Sequence, residues 1–238
     1  MSGFKSNSIL SGLFLAISVL FLSCNKKEEE KEEVKIAFLA DVHLQDIHAQ
    51  FSDTDYKGVL NSETGKYNTV RTMGAQLRSA RLFNENYFAF TTALEDIVKK
   101  NIKLVVLPGD FTDDGQPMNV RALKKILKAY SKNHAIQFLM TTGNHDPVRP
   151  FTQEAGKTDF LGEDGQKQAI YSDSSIIPHS KTDALPPIIT KDIKKWGYQE
   201  ITDELADFGF YPRKEFLYWE TPYSTYSYDD YTYTKASN

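Results

Sequence analysis

Residues 102–115 read IKLVVLPGDFTDDG, an apolar run that ends abruptly in glycine and carboxylates. A run this apolar predicts a strand buried on both faces, as in a parallel sheet. Two further stretches have the same design, residues 34–43 (VKIAFLADVH) and residues 135–146 (AIQFLMTTGNHD). Each predicts a strand that is followed at once by acidic, imidazole or amide side chains.

Helical periodicity separates the three predicted strands. Apolar residues recur at helical spacing from about Leu82 to Lys100, and again from Asn119 to Lys132. Strand, helix, strand, helix, strand predicts right-handed crossovers and a parallel α/β sheet. Residues 44–79 lack a clear period and are interpreted as a loop excursion. Beyond Asp146 the pattern weakens, with one or two short helices predicted within residues 193–208.

The polar clusters after the strands predict a common site. In open α/β sheets ligands bind outside the carboxyl ends of the strands, and parallel strands place these ends on one edge. Carboxylate, imidazole and amide donors without thiolate suit Mn, Fe, Zn or Mg. Two such ions about 3.5–4 Å apart can clamp the attacking and leaving oxygens of a phosphoryl transfer. Gly109 and Gly143 would let the backbone approach closely.

The alternative is that each cluster is only turn chemistry, because Asp, Asn and Gly are favoured in turns for their own reasons. Three clusters in order, each directly after an apolar strand, favour the metal site.

The motifs DVH at 41–43, GDFTDDG at 109–115 and GNHD at 143–146 resemble those of the calcineurin-like metallophosphoesterase superfamily. The resemblance covers about residues 34–146. It implies the amino-terminal part of an α/β/β/α sandwich, with parallel strands, crossover helices and an incomplete second sheet. It also implies metal-dependent hydrolysis of phosphate monoesters or diesters by in-line attack, without a covalent phosphoenzyme.

The same resemblance implies a role for each motif residue. The implied metal ligands are Asp41, His43, Asp110 and Asn144. Asp41 and His43 would hold one divalent ion. Asp110 would bridge this ion to a second one, which Asn144 would also bind. His145 would support the leaving oxygen, and Asp113 would orient His145. The protein-phosphatase branch carries arginine where this chain has Asp114, which favours the phosphodiesterase and phosphomonoesterase groups.

The chain departs from the family pattern in its later histidines. The family completes its site with further histidines, including a GHxH pair, but none follows His179 here. His48 and His179 are interpreted as exposed loop residues, and His134 as lying at the wrong end of the sheet. We therefore interpret residues 34–238 as the amino-terminal part of a truncated phosphoesterase domain whose second metal site is incomplete.

Two expectations follow from this incomplete ligand set. Residues 1–238 alone should bind metal weakly and show little or no phosphoesterase activity. The alternative function is a non-catalytic binding lipoprotein, or an inactive fragment, that retains the phosphoesterase scaffold.

The tyrosine-rich residues 211–238 are interpreted as the start of a β-rich half, with a substrate-binding rim as the alternative.

Residues 1–23 predict a signal peptide. They contain a single charge, and the uncharged run from Ile9 to Leu22 is shorter than a bilayer span and typical of a signal peptide. Residues 21–24 (FLSC) resemble a bacterial lipobox, and Cys24 is the only cysteine of the chain. Residues 24–33 are then a charged tether. We predict a lipoprotein of the cell envelope, anchored to a membrane through Cys24 and facing the periplasm or the surface; the alternatives are an ordinary cleaved signal peptide and a single anchor helix.

Composition excludes several other classes. The chain has 238 residues, of which 40% are hydrophobic and 25% charged, which argues against a disordered chain and against a multi-span membrane protein. Lys and Arg number 28 against 32 Asp and Glu, so no basic excess favours nucleic-acid binding. A single cysteine excludes an intrachain disulfide. The expected partners are a phosphate-ester substrate and a membrane.

Overall fold

The computed structural model describes residues 33–179 and 185–238. The strands within these residues are, in chain order, β1 (Ile36–Phe38), β2 (Val59–Asn61), β3 (Lys66–Asn68), β4 (Leu104–Pro108), β5 (Gln137–Thr141), β6 (Gly156–Leu161), β7 (Lys167–Tyr171) and β8 (Ile188–Ile189). The α-helices are α1 (Met73–Leu77), α2 (Asn86–Lys99), α3 (Pro117–His134), α4 (Tyr198–Glu204) and α5 (Tyr233–Ala236). Short 3-10 turns lie at Ser174–Ile176, Lys191–Ile193, Ala206–Phe208 and Tyr228–Asp230.

The central sheet has the parallel order β1–β4–β5. In its register Val106 of β4 lies between Phe38 of β1 and Leu139 of β5. Helix α2 precedes β4, and α3 connects β4 to β5, so both long helices belong to crossover connections. The parallel α/β sheet predicted from the three apolar runs is confirmed.

One face of this sheet builds the main core. Alternate residues of β4 and β5 point inward and are almost completely buried, namely Val105, Leu107, Phe138 and Met140. They pack in one cluster with Leu94 of α2, Leu123 of α3 and Leu205 beside α4. This packing holds the ends of β4 and β5 in fixed positions, which the site at those ends requires.

Strand β1 differs from its prediction. A strand buried on both faces was expected, but Ile36 is 46% and Phe38 66% exposed. The prediction was wrong for one face of β1, on which the alternate residues Ile36 and Phe38 contact solvent, whereas Ala37 on the other face packs against the core. Among the described strands β1 pairs with β4 alone, so it is also an edge strand.

The long excursion after β1 contains more order than its lack of periodicity predicts. Strands β2 and β3 form an antiparallel hairpin within it. Helix α1 follows, and the Thr72 side chain caps it by accepting a hydrogen bond from the Ala75 amide. The interpretation of residues 44–79 as loop alone was wrong, since such short elements leave no lasting periodicity.

A second sheet follows β5. Strands β6 and β7 pair antiparallel, and β7 pairs with the short β8 in parallel. Residues 211–238 contain no strand; they form the turn at Tyr228–Asp230 and helix α5. The interpretation of this tyrosine-rich segment as the start of a β-rich half was therefore wrong.

The predicted signal peptide and nearly all of the tether lie outside the described residues. Within residues 33–179 and 185–238 no helix has the length and apolar character needed to cross a bilayer. Residues Lys35–Asn238 form one compact unit.

Candidate metal centre

The loops after β1 and β4 run side by side. The His43 amide donates to the Asp110 carbonyl at 2.8 Å, and the Leu44 amide donates to the Phe111 carbonyl at 3.0 Å. The Asp113 amide in turn donates to the Leu44 carbonyl at 3.0 Å. The parallel pairing of the two strands thus continues past their ends and brings the first two motifs together.

Two glycines bring the loop after β5 to the same place. A Cβ on Gly109, whose φ is +90°, would lie 2.9 Å from the Cα of Gly143. A Cβ on Gly143 would overlap the Asp110 carboxylate. The His145 amide donates to Oδ1 of Asp110 at 2.8 Å. The predicted close backbone approach at both glycines is confirmed.

Three predicted metal ligands converge at this edge of the sheet. The donor atoms of Asp41, His43 and Asp110 all lie within 4.8 Å of one another. Nε2 of His43 is 4.0 Å from Oδ1 of Asp41 and 3.9 Å from Oδ2 of Asp110. These separations are too long for hydrogen bonds. Two donors about 2.1 Å from one tetrahedral cation lie about 3.4 Å apart, so these side chains would close by about half an ångström around a shared ion.

The backbone of these three candidate ligands is unusual. Asp41, His43 and Asp110 have φ values of 52°, 42° and 47°, in the left-handed region that residues other than glycine rarely adopt. Such conformations persist where the surrounding structure holds them, and they cluster at functional sites. Here Asn86, the first residue of α2, donates a side-chain hydrogen bond to the His43 carbonyl and accepts one from the Gln45 amide at 3.2 Å.

The surroundings of the His43 imidazole favour its neutral form. Burial lowers the pKa of His43 below its ordinary value, and the nearby Arg81 and His145 lower it further, while Asp110 opposes them. A neutral imidazole presents the lone pair that a metal ion needs. Nε2 is the ring nitrogen that faces Asp41 and Asp110, whereas Nδ1 is buried without a hydrogen-bond partner among the described residues. The donor set and the imidazole therefore fit a divalent cation.

The remaining predicted ligand and the other histidines lie as follows. Asn144 is exposed at the same sheet edge, between Gly143 and His145, and its role as a ligand stays a prediction. His48 and His179 are exposed, as predicted. His134 ends α3, where its carbonyl accepts from Lys103 just before β4, so it lies at the opposite end of the sheet, also as predicted.

The carboxylate that contacts His145 is not the one predicted. Nδ1 of His145 lies 2.7 Å from Oδ1 of Asp114, whereas the fully buried Asp113 contacts Arg71, Arg81 and Lys157 instead. The expected contact from Asp113 was wrong by one residue. The bond from the Asp113 amide to Leu44 fixes Asp113 in the extended pairing, and the left-handed turn at Asp114, with φ 63°, directs the next carboxylate to the histidine.

Four basic residues surround the two adjacent carboxylates. Asp113 lies 3.1 Å from Arg71, 2.5 Å from Arg81 and 2.7 Å from Lys157. Asp114 lies 3.1 Å from both Lys157 and Lys195, and 3.3 Å from Arg81. Burial alone would raise the pKa of each carboxyl, but the cations, Lys157 foremost, outweigh it and hold both pKa values below the ordinary range. Both carboxylates are therefore ionised at neutral pH.

Sequence reasoning missed these four basic residues. Arg71 belongs to the excursion after β1, and Arg81 lies between α1 and α2. Lys157 lies on β6 and Lys195 precedes α4. They are isolated in the sequence and belong to no motif, so nothing local marks them. Only the tertiary structure brings them to the carboxylates.

Asp146 joins two of the loops. Its buried carboxylate accepts hydrogen bonds from the Thr112 amide, at 3.1 Å to Oδ2, and from the Thr112 hydroxyl. Burial raises the pKa of Asp146 to about 7, although the bonds from Thr112 oppose that shift. Asp146 therefore holds the GNHD loop against the GDFTDDG loop, a role that sequence reasoning left unassigned.

A comparison with known families agrees with this geometry. A family profile described as calcineurin-like phosphoesterase matches residues 34–229. The chain belongs to the calcineurin-like phosphoesterase family. No curated protein matches the chain.

Proposed function

We propose that this protein hydrolyses phosphate esters with the help of divalent cations. The observation that supports this most is the convergence of Asp41, His43 and Asp110 beside His145, in a chain of this family. Asn144 is proposed as a further ligand. Divalent cations, when bound, offset charge on the phosphoryl oxygens and acidify a coordinated water.

Three side chains near the candidate metal site have further roles in the proposed reaction. His145 is proposed to give a proton to the leaving oxygen, because Asp114 engages its Nδ1 and leaves Nε2 for proton transfer. Asp110 accepts the His145 amide on Oδ1, while Oδ2 faces the imidazole of His43. Arg81 lines the cleft that Asp41 and His43 also line, where a guanidinium attracts phosphate.

One observation favours the non-catalytic alternative. Within residues 33–179 and 185–238, one group of three or more Asp, Glu, His or Cys side chains is close enough to hold a metal ion, and it consists of Asp41, His43 and Asp110. Two cations with four or more ligands each need more donors than this group and Asn144 provide. A protein that binds phosphate esters without turning them over is therefore the second candidate.

The two candidates differ in turnover. The experiment measures Mn²⁺ binding by calorimetry and Mn²⁺-dependent hydrolysis of bis(4-nitrophenyl) phosphate, for the wild type, Asp110→Asn and the exposed control Asp96→Asn. The hydrolase predicts slow hydrolysis that Asp110→Asn abolishes and Asp96→Asn retains. Mn²⁺ binding without hydrolysis would favour the binding protein. Failure of the wild type to bind Mn²⁺ would contradict the metal-dependent hydrolase, and hydrolysis by the wild type would contradict the binding protein.

We also propose that the protein is anchored to a membrane through a lipid on Cys24. The apolar run Ile9–Leu22, the FLSC sequence and the charged residues that follow support this proposal. Stable anchoring by acyl chains needs more than one chain. Expression in a bacterial host with labelled fatty acid should label the wild type and Ser23→Ala, but not Cys24→Ser. A Cys24→Ser variant that stays in the membrane fraction would contradict the proposal.

A further inference from the structure

A cleft of about 500 Å³ opens directly beside two of the metal ligands, Asp41 and His43. It lies between the loop after β1 and the first turns of α2. Most of its walls are carbon, supplied by Leu39, Val42, Leu82, Ala89, Phe90 and Ala93. Small-molecule sites have this size, mostly apolar walls and a few placed polar groups.

Local sequence creates the space. Ala89 and Ala93 are four residues apart on α2, so they lie on the same face of the helix, and their methyl groups leave the cleft open. Leu82 at the rim is 54% exposed and has a φ of 50°. A leucine in the left-handed region is strained, and such strain persists where the surrounding structure imposes it, often at ligand sites.

The lining also carries charged side chains, among them Arg81, Asp41 and Glu85. Arg81 is held by Asp113 at 2.5 Å and by Asp114 at 3.3 Å, yet its side chain remains 28% exposed. Asp41 and His43 line the same cleft. A phosphate ester has one anionic end and one carbon end. The cleft offers both kinds of surface, since Arg81 and two candidate cation ligands line it together with apolar side chains.

We propose that this cleft binds the organic group of the substrate, and that the preferred substrates are phosphate esters of an aromatic or similarly bulky apolar alcohol. The inference rests on the proposed function, because it places the phosphoryl group at Asp41, His43 and Asp110. The apolar group then lies against Phe90 and the two alanines of α2.

The test compares ligands that share a phosphate and differ in the organic group. Mn²⁺-saturated protein is titrated by calorimetry with 1-naphthyl phosphate, methyl phosphate and inorganic phosphate, and hydrolysis of both esters is followed in parallel. A ring system that buries roughly 60 Å² more apolar surface than a methyl group gains about tenfold in affinity. We expect 1-naphthyl phosphate to bind at least that much more tightly than methyl phosphate.

Variants that fill the cleft test its location. Ala89→Trp should lower the affinity for 1-naphthyl phosphate much more than the affinity for inorganic phosphate. Ala93→Leu is a milder change with the same expected direction. Ala129→Trp is the matched control, because Ala129 lies on α3 in a surface groove that contains none of the metal ligands.

The outcomes separate the cleft from the catalytic proposal. A preference that Ala89→Trp removes, without hydrolysis of any ester, supports the cleft and contradicts the hydrolase. Hydrolysis of both esters with equal affinity contradicts the proposed role of the cleft but agrees with the proposed hydrolase activity. The same holds for a preference that remains in both filling variants. Equal loss of affinity for all three ligands in Ala89→Trp also contradicts the cleft, and so does a wild type that binds none of them.

Discussion

Nδ1 of His145 lies 2.7 Å from Oδ1 of Asp114. Lys157 and Lys195 both lie 3.1 Å from the other oxygen of that carboxylate. These cations help to keep Asp114 ionised, and an ionised carboxylate fixes both the orientation and the tautomer of a functional imidazole. The pair joins the loop after β4 to the loop after β5, so a positioning contact depends on how two separate strand ends meet.

The first prediction concerns Asp114. Asp114→Asn should lower kcat for Mn²⁺-dependent hydrolysis by about tenfold to a hundredfold, because the imidazole loses the carboxylate that orients it. KM and Mn²⁺ affinity should change little, and the downfield Nδ1 proton signal of His145 should weaken in the NMR spectrum. An unchanged kcat or an undiminished Nδ1 signal in Asp114→Asn would contradict the positioning role of Asp114.

The second prediction concerns His145 itself. His145→Ala should lower turnover by about a hundredfold or more, which is the usual contribution of a positioned general acid. Mn²⁺ affinity measured by calorimetry should stay near that of the wild type. His48→Ala is the control, since His48 is exposed and should leave both quantities unchanged. Wild-type turnover in His145→Ala would refute the assigned role.

The third prediction concerns stability. Asp113 is completely buried and contacts Arg71, Arg81 and Lys157. Asp113→Asn leaves these cations without a charged partner, and removing one member of a buried ion pair costs about 3 kcal/mol or more. Denaturant unfolding at neutral pH should show that loss. Asp96→Asn, which removes only an exposed pair with Lys100, should change the free energy of unfolding by less than about 0.5 kcal/mol.

The pH dependence of this effect has a definite sign. Burial alone would raise the pKa of Asp113, but Lys157 and Arg71 hold it below its ordinary value in the folded protein. A lowered folded pKa stabilises the protein above the unfolded pKa of about 3.9, and this stabilisation is lost as the pH falls through the folded value. The difference between wild type and Asp113→Asn should be constant from about pH 5 upward and shrink below about pH 4. A difference that grows on acidification would contradict the assignment.

The fourth prediction concerns Gly143. Gly143→Ala should lower Mn²⁺ affinity by about tenfold, because the added Cβ overlaps the Asp110 carboxylate and displaces a ligand. Calorimetric titration with Mn²⁺ measures the change. Gly74→Ala in helix α1 is the matched control, since its Cβ meets only the flexible side chain of Arg78, at 3.3 Å or more. Equal Mn²⁺ affinity in the wild type and both variants would show that the close approach at Gly143 does not position Asp110.

Local patterns predicted a large part of the framework. Strands β4 and β5 lie within the apolar runs at 102–108 and 135–141, and α3 covers the predicted helix with two residues more at each end. These elements are predictable because burial of alternate or periodic apolar residues leaves a local signal. The exposure of one face of β1 was not predictable, since it depends on which distant parts of the chain pack over that face.

The candidate site was also predictable from the sequence only in part. The amino-acid sequence by itself determined the three strand-end motifs and therefore the convergence of Asp41, His43 and Asp110, because parallel strands place their carboxyl ends on one edge. The tertiary structure alone decided that Asp114 rather than Asp113 contacts His145, and that basic side chains from β6 and from distant loops surround both carboxylates. The physical reason is separation along the chain. Periodicity and motif spacing report on neighbouring residues, whereas these contacts join residues 31 to 81 positions apart, and their approach depends on the packing of the whole domain.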